Sequence, residues 1–275
     1  MNLIVTTVIV VAANVVAAMA MLLIFRRRAP GDGFFHDSQQ ATGVFTVLGT
    51  TFAVLLAFTF FLAFQSYDTA RQSGEQEAVA TTGLFHMSER FSAPVRNRLA
   101  GLLVCYARGV ANQEWRTMHD DKESPVVTAR IRALDTSFGR VRIRGPEEDA
   151  AYTKWLDLES ARAEGRRGRL AEASPFVPAP VWVVLIIAGL LVILYTLFFA
   201  DRRERRVAQI LMICSVTTIV VSSLLLVNIL DNPYGTHAGS IQPDAMRSSL
   251  ARMEAELAAD GVPLPASCRR LVRAG

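Results

Sequence analysis

The sequence has few residues of the kinds that enzymes and metal sites use. It contains three cysteines and four histidines, and the histidines are scattered along the chain. Cys105, Cys214 and Cys268 have neither a metal-binding nor a disulfide spacing. No glycine-rich phosphate loop and no zinc-protease or serine-hydrolase motif is present. We therefore expect no enzyme activity, no metal and no cofactor, and a Cys105–Cys268 bridge can form only if both residues lie outside the cell.

Charge is missing from four long stretches of the chain. The apolar residues, 51% of the total, cluster in stretches without Asp, Glu, Lys, Arg or His, namely Leu3–Phe25, Val44–Phe64, Val181–Ala200 and Val207–Leu230. Each holds about 20 residues, the length of helix that crosses a hydrocarbon core of about 30 Å. Uncharged stretches this long are rare in soluble folds, so we expect four transmembrane helices.

The residues between the second and third stretches are polar and have helical spacing. Small residues recur every three or four positions from Ala70 to Ser88, so the second span is expected to continue as a helix that another helix can approach closely. Further helices are expected to begin near Pro94, Pro125 and Pro146. The predicted fold is all-α, with a first transmembrane hairpin (1–64), a helical soluble domain and proline-rich linker (65–180), a second transmembrane hairpin (181–230), and a C-terminal turn and tail (231–275).

Arginines determine the expected orientation. Three of them, Arg26–Arg28, follow the first span, and four more lie within Arg202–Arg206, between the third and fourth spans. Short basic loops stay in the cytoplasm, which puts both termini and residues 65–180 outside. Those residues carry 17 basic and 16 acidic side chains, a balance that argues against a nucleic-acid partner. Because Lys122 and Lys154 are the only lysines, the composition is typical of a GC-rich bacterium, and we expect a multi-pass protein of the inner membrane.

The second span carries a stripe of large apolar side chains. Phe52, Leu56, Phe60 and Phe64 recur every four residues. One interpretation is that they face lipid or pack between helices, and the other is that they narrow a pore as a hydrophobic constriction. No charged residue lies within a span, which argues against a proton-coupled transporter. Polar span residues such as Asn14 are expected to hydrogen-bond between helices.

Five residues after the fourth span form a stop signal. Pro233 cannot continue a helix, and Asn232 before it is biased away from helical angles. Gly235 permits a positive φ, and Tyr234 is expected at the depth of the membrane interface. We interpret the five residues, which begin with Asp231, as a turn, and a gate or subunit contact is the alternative interpretation.

Several stretches are similar to recurring ones of a bacterial family. They are LGTTFAVLLAF (48–58), SYDTAR followed by EQEA (66–78), YARGVANQEW (106–115) and DNPYG (231–235). With the four spans they resemble the bestrophin-like family of integral membrane proteins over most of the chain from Gly43 to Asp244. The activity of that family is not established, so the resemblance implies a membrane fold without a mechanism.

A more distant resemblance links the chain to the bestrophins, which are pentameric anion channels with an Asn-Pro-Phe-Gly turn after the last span. It implies a homo-oligomer in the lipid bilayer that passes a small anion. Calcium-gated bestrophins have an acidic run after the turn, whereas 236–240 here read Thr-His-Ala-Gly-Ser, so no calcium site is expected. Bestrophins also keep the middle segment in the cytoplasm, opposite to the side that the arginines predict. The alternative function is a non-conducting membrane sensor or scaffold with a helical outer domain.

Overall fold

The computed structural model describes residues 3–30, 34–35, 38–201, 204–237, 239–265 and 268. Arg202, Arg203 and Ala238, which the sequence arguments use, lie outside this part of the chain. Within the described part the structure is all-helical, which confirms the predicted fold class. A π-helical turn (Val110–Glu114) and a 3₁₀ turn (Met118–Asp120) accompany the helices α1 (Leu3–Arg28), α2 (Ser38–Ser88), α3 (Ala93–Gly109), α4 (Trp115–Thr117), α5 (Pro125–Phe138), α6 (Pro146–Ala171), α7 (Ala179–Phe198), α8 (Arg206–Leu230) and α9 (Asp244–Ala259).

Four of these helices, α1, α2, α7 and α8, are long and apolar enough to cross a membrane. They coincide with the four uncharged stretches, so the predicted spans are confirmed. Only 11–28% of the residues in their most apolar windows are buried inside the chain. The rest present apolar side chains to the outside, which suits helices that are solvated by lipid and satisfy their backbone groups internally.

The chain divides into two compact units. Unit 1 comprises residues 1–66, 175–232 and 237–240, and unit 2 comprises 67–174, 233–236 and 241–275. Helix α2 runs without interruption from Ser38 to Ser88, which confirms that the second span continues as a helix into the soluble segment. The segment predicted to be a C-terminal tail contains α9. Met246, Met253 and Leu257 recur on one face of that helix and are buried in the core of unit 2.

Unit 1 is held together by small apolar clusters between its spans. Ala18 and Leu22 of α1 pack with Leu197 of α7 and Ile213 of α8. Gly189 of α7 permits the close approach of α8, since a Cβ atom there would lie 2.9 Å from Cγ1 of Val220. These contacts assemble α1, α7 and α8 while most of each helix surface stays outward.

Arg26, the first arginine after the first span, joins two loops at one end of unit 1. Its guanidinium donates to the backbone oxygen of Glu204 at 2.7 Å and to Oε1 of Gln209 at 2.6 Å. The first and third loops therefore lie at the same end, as the arginine pattern requires. The same end of unit 1 has a group of aromatic rings, which are typical of a membrane interface, and these are Phe25, Phe34, Phe35, Phe45, Tyr195, Phe198 and Phe199.

Several polar residues within the spans bond to their own helix. The amide of Asn14 donates to the backbone oxygen of Val10 at 2.9 Å, and Oγ1 of Thr59 donates to that of Leu55 at 2.9 Å. The predicted hydrogen bond between helices is therefore wrong for Asn14. A short polar side chain in a helix reaches the carbonyl four residues earlier, and this local bond satisfies it without a second helix.

Unit 2 has a conventional core of buried apolar side chains. Leu84 of α2, Leu103 of α3 and Leu134 of α5 are almost fully buried, and the ring of Trp155 in α6 stacks on Phe138 with centroids 4.7 Å apart. Helices α3, α5 and α6 each have proline in the first turn, where a missing N–H costs nothing. The predicted proline starts are confirmed.

Helix α6 approaches the backbone of α2 at its glycines. A Cβ atom on Gly165 would lie 2.7 Å from the backbone nitrogen of Glu77 and 2.9 Å from the backbone oxygen of Ser73. The small-residue stripe of α2 thus receives a helix at close range, as its sequence predicts. Gly74 on the stripe is less confined, because a Cβ there would lie 3.5 Å from the Trp115 ring.

We predict that Gly165→Ala destabilises unit 2 by about 1–3 kcal/mol, the usual cost of overpacking a tight contact. The clash is with backbone atoms, which cannot move aside as a flexible side chain would. Gly74→Ala, in the facing helix, is the matched control and should be neutral or slightly stabilising, because Ala favours helix. Thermal and denaturant unfolding of the two purified variants measures the difference, and equal stability would contradict the close helix contact.

Candidate functional site

The stripe of α2 winds from the interior of unit 1 to its surface. Phe52 is 6% exposed and belongs to a cluster with α7 and α8. Leu56 is half-buried, Phe60 is 37% exposed and Phe64 is 50% exposed. Four residues advance a helix by about 400°, so each step turns the stripe by about 40°. The spacing predicts that the four side chains lie on one face of α2. In the structure Phe52 is buried, whereas Phe60 and Phe64 are exposed.

Two further rings close to Phe60 and Phe64 are also exposed. Phe58 is 66% exposed and Phe61 is 55% exposed. Phe61 lies on the same side of α2 as Phe60 and Phe64, whereas two residues turn a helix by about 200° and put Phe58 on another side. We call Phe60, Phe61 and Phe64 the outer aromatic face. Four exposed phenylalanines so close together need an apolar partner, either lipid or another protein surface.

The turn after α8 secures the linker that leads into α7. Asp231 is 2% exposed, and its carboxylate accepts a bond from the Val177 backbone N–H at 2.8 Å and one from Nε1 of Trp182 at 3.2 Å. The predicted stop is present, because α8 ends at Leu230. The role of Asp231 as an acceptor for the proline-rich linker was not predicted from the sequence.

The residues that follow close the turn by local bonds. The amide of Asn232 donates to the backbone oxygen of Asn228 at 2.9 Å, and the His237 ring bonds to the backbone oxygen of Asn232 at 2.9 Å. Gly235 lies in the bend after Pro233. A positive φ is found at Gly261, not at Gly235, so the turn does not use the conformational freedom that we expected there.

Tyr234 is buried within unit 2. Its hydroxyl donates to the backbone oxygen of Ala70 at 2.8 Å, and its ring meets Trp115 edge-on with centroids 5.4 Å apart. His119, in a loop that the sequence marks as charged, bonds to the Tyr234 backbone oxygen. The residue expected at the membrane interface thus packs in a protein core, because a backbone acceptor and an indole ring serve its hydroxyl and its ring there.

A buried ionic network crosses the interior of unit 2. The guanidinium of Arg169 in α6 lies between two carboxylates, with Nε 2.6 Å from Glu77 of α2 and Nη2 2.6 Å from Glu114 of the π turn, and all three side chains are 0% exposed. Arg166, one turn earlier, contacts the second oxygen of Glu114 at 2.5 Å. The network therefore joins three elements in a place from which water is excluded.

Tyr106 of α3 extends this network. Its hydroxyl donates to the Glu77 carboxylate and accepts from Nη1 of Arg162 at 2.9 Å. Arg162 is itself paired with Glu159 on the same helix. Tyr106 and Arg162 are both almost fully buried, so every charge that they bring into the core has a partner.

The electrostatics favour the ionised form of Glu114. Burial raises the pKa of Glu114, but hydrogen bonds and charges from Arg166 and Arg169 outweigh it and leave that pKa below its usual value. Burial, together with the Glu77 charge, raises the pKa of the Tyr106 hydroxyl, which stays protonated and able to donate. The arrangement suits a fixed structural network rather than a proton donor or acceptor at neutral pH.

This network was not predicted from the sequence. The stretches EQEA and YARGVANQEW were noted as recurring, but no role was assigned to their glutamates or to the arginines of α6. Charged residues are rarely buried unless they are paired, and the pairing here joins Glu77 to Arg169 across 92 residues. The available signal was the spacing of Arg162, Arg166 and Arg169, which lie on one face of α6.

A disulfide joins the C-terminal segment to α3. Cys105 and Cys268 are bonded, their Cα atoms are 5.3 Å apart, and both are 0% exposed. The bridge that the sequence allowed is thus formed, although 163 residues separate the two cysteines. Cys214 in α8 is a free thiol.

Comparison with known proteins supports the same architecture. A family model described as a bestrophin-like domain matches residues 11–246, and no curated protein matches. A crystal structure of a variant of a bacterial bestrophin homologue from Klebsiella pneumoniae has a TM-score of 0.70 and 16% identity, covering 90% of this chain and 98% of that one. A second variant has a TM-score of 0.70 and 16% identity, covering 94% and 99%.

Four apolar spans, an all-helical fold and a helical unit between the second and third spans define a multi-span membrane protein of channel-like architecture. The family model covers well over half of the chain. The chain belongs to the bestrophin-like family.

We predict that Arg169→Met destabilises unit 2 by about 3–5 kcal/mol, since it leaves two buried carboxylates without their shared partner. Arg167→Met is the control, because Arg167 is exposed and only two residues away on α6. Unfolding of both variants, followed by circular dichroism, gives the comparison. If the two lose the same stability, the network does not hold the unit together.

Proposed function

We propose that the protein is a homo-oligomeric channel for small anions in a bacterial inner membrane. In this proposal α2 of each copy faces a common axis. The observation that carries it is the outer aromatic face, a cluster of exposed rings on the membrane part of α2. Membership of the bestrophin-like family and the fold shared with a bacterial bestrophin homologue support the proposal.

In this proposal the four residues of the stripe have different roles, which follow from how exposed each side chain is. Phe60 and Phe64 lie on the open side of α2 and form the narrow part of the pore. Leu56 lies at the edge, and Phe52 supports α2 from behind through its cluster with α7 and α8. Rings of phenylalanine stacked around an axis exclude water from a narrow pore until the pore widens.

Small anions suit such a pore better than cations do. The four spans contain no carboxylate, so no acidic ring attracts cations inside the membrane. The edge of an aromatic ring carries partial positive charge, and phenylalanines that turn their edges to the axis therefore favour anions. The channel thus draws its selectivity from ring edges rather than from charged side chains.

We infer that unit 2 lies outside the cytoplasm. The arginines of the first and third loops favour this orientation. The Cys105–Cys268 disulfide supports it independently, because disulfides persist in oxidising compartments and are rare in the cytosol. Both arguments point to the side opposite to the one that the resemblance to bestrophins implies.

The orientation predicts how single cysteines react in spheroplasts. In a Cys214→Ser background, a membrane-impermeant maleimide should label Lys122→Cys and should spare Glu204→Cys until the membrane is opened. Both positions are exposed in the folded chain, so access depends on the side of the membrane. The reverse labelling pattern would place unit 2 in the cytoplasm.

The pore proposal predicts that Phe60→Ala raises chloride flux through the purified protein in liposomes, because a smaller side chain widens one ring of the constriction. Leu190→Ala in α7 is the control, since Leu190 is 60% exposed on a helix that does not line the proposed pore. Oligomer size is measured for both variants beside flux, so that a failure of assembly is recognised.

Two outcomes would count against the pore. Equal flux in Phe60→Ala and wild type, with the same oligomer size, would remove Phe60 from the constriction. An absence of flux for every anion tried, from a fully assembled protein, would favour a non-conducting sensor or scaffold. In that case the outer aromatic face serves packing between copies or contact with lipid.

A further inference from the structure

Unit 2 contains an open groove between α3 and α5 that collects three arginines. Arg98 comes from α3, Arg132 comes from α5, and Arg140 comes from the turn just after α5. Thr136 and Ser137 add hydroxyls to the groove, whose volume is about 470 Å³. Arg132 and Thr136 are four residues apart and share one face of α5, and Arg140 follows just after that helix ends at Phe138.

One wall of the groove is held in place by the C-terminal segment. Pro265 lines the groove and packs on α3 where Gly101 has no side chain, since a Cβ there would lie 3.0 Å from Cδ of Pro265. The backbone N–H of Cys268 donates to the Pro265 oxygen at 2.8 Å, and the disulfide ties Cys268 to Cys105 on α3. The wall is therefore fixed to the same helix that supplies Arg98.

The charge of the groove is not balanced by the described residues. No carboxylate lines it, and none of the three guanidinium groups has a side-chain partner within the described chain. Asp135, the acid of α5, turns toward α6, where burial and the charge of Glu159 raise its pKa. Arg98, Arg132 and Arg140 are exposed, whereas Arg162, Arg166 and Arg169 in the interior of unit 2 have acidic partners. The groove is therefore a concentration of positive charge at the surface without an acidic partner among the described residues.

We propose that this groove binds a multivalent phosphate-bearing anion. Guanidinium groups present planar pairs of N–H donors that match phosphate oxygens. The Ser137 hydroxyl supplies a further donor, whereas the Thr136 hydroxyl donates to the backbone oxygen of Arg132 at 2.7 Å. The groove is far larger than a halide ion and has the volume of a small-molecule site. The site lies wholly within unit 2, so it stands whether or not the spans conduct ions.

The test measures the binding of pyrophosphate to the purified full-length protein in a neutral detergent by isothermal titration calorimetry. Wild type should bind pyrophosphate more tightly than inorganic phosphate, with an affinity that falls as salt rises. The double variant Arg132→Gln and Arg140→Gln should lose about 10-fold or more in affinity, since each change removes a charge-assisted hydrogen bond. Arg132→Lys, which keeps the charge and loses the paired donors, should bind with intermediate affinity.

The matched control removes the same charge elsewhere in unit 2. Arg167→Gln and Arg252→Gln change two exposed arginines outside the groove. If this variant keeps the wild-type affinity, the groove and not the net charge binds the anion. An equal loss of affinity in the two double variants, or no binding of pyrophosphate by the folded wild type, would overturn the proposal.

The anion can be a free solute or a lipid headgroup, and nanodiscs distinguish the two. In phosphatidylcholine nanodiscs the wild type should bind pyrophosphate in both cases. If phosphatidylglycerol in the disc abolishes that binding, a lipid headgroup occupies the groove. If binding is unchanged, the natural ligand is a soluble phosphorylated compound.

Discussion

The double ion pair of Arg169 with Glu77 and Glu114 is the interaction on which unit 2 depends. Loss of Arg169 would leave the Glu77 carboxylate buried without a positive partner, which is strongly destabilising. The π turn that carries Glu114 and the glycines that bring α6 against α2 both serve this arrangement. Tyr106 and Arg162 extend it to α3, so four elements share one network.

Unit 1 is built on a different physical basis. Its helices satisfy their backbone groups internally, and several of their polar side chains bond to the preceding turn, as at Asn14 and Thr59. Small clusters around Leu22 and Phe52 are enough to assemble them, because lipid rather than protein covers most of the surface. The exposed phenylalanine rings of α2 are unusually large for this lipid-facing surface. Their concentration on one helix suggests a role beyond anchoring the helix in lipid.

Much of the architecture could be predicted from the sequence. Uncharged stretches of helical length give the four spans, and small residues at helical spacing give the continuation of α2 and its close partner. The buried network could not be predicted, because Glu77 and Arg169 are distant in sequence and each looks like a surface residue in isolation. The stripe from Phe52 to Phe64 was placed on one face by its spacing, but the twist of the helix and the packing of α7 and α8 separate its two ends.

The sequence by itself determined which segments are membrane spans, soluble helices or turns. A span requires apolar side chains and a residue such as Pro233 ends a helix, and both are local properties of the chain. Only the tertiary structure decided which polar groups meet. The burial of Tyr234, the acceptor role of Asp231, the Cys105–Cys268 bridge and the convergence of Arg98 with Arg132 and Arg140 all join residues that are distant in the chain. Such contacts depend on how the helices pack, and helix packing is a property of facing surfaces rather than of any one segment.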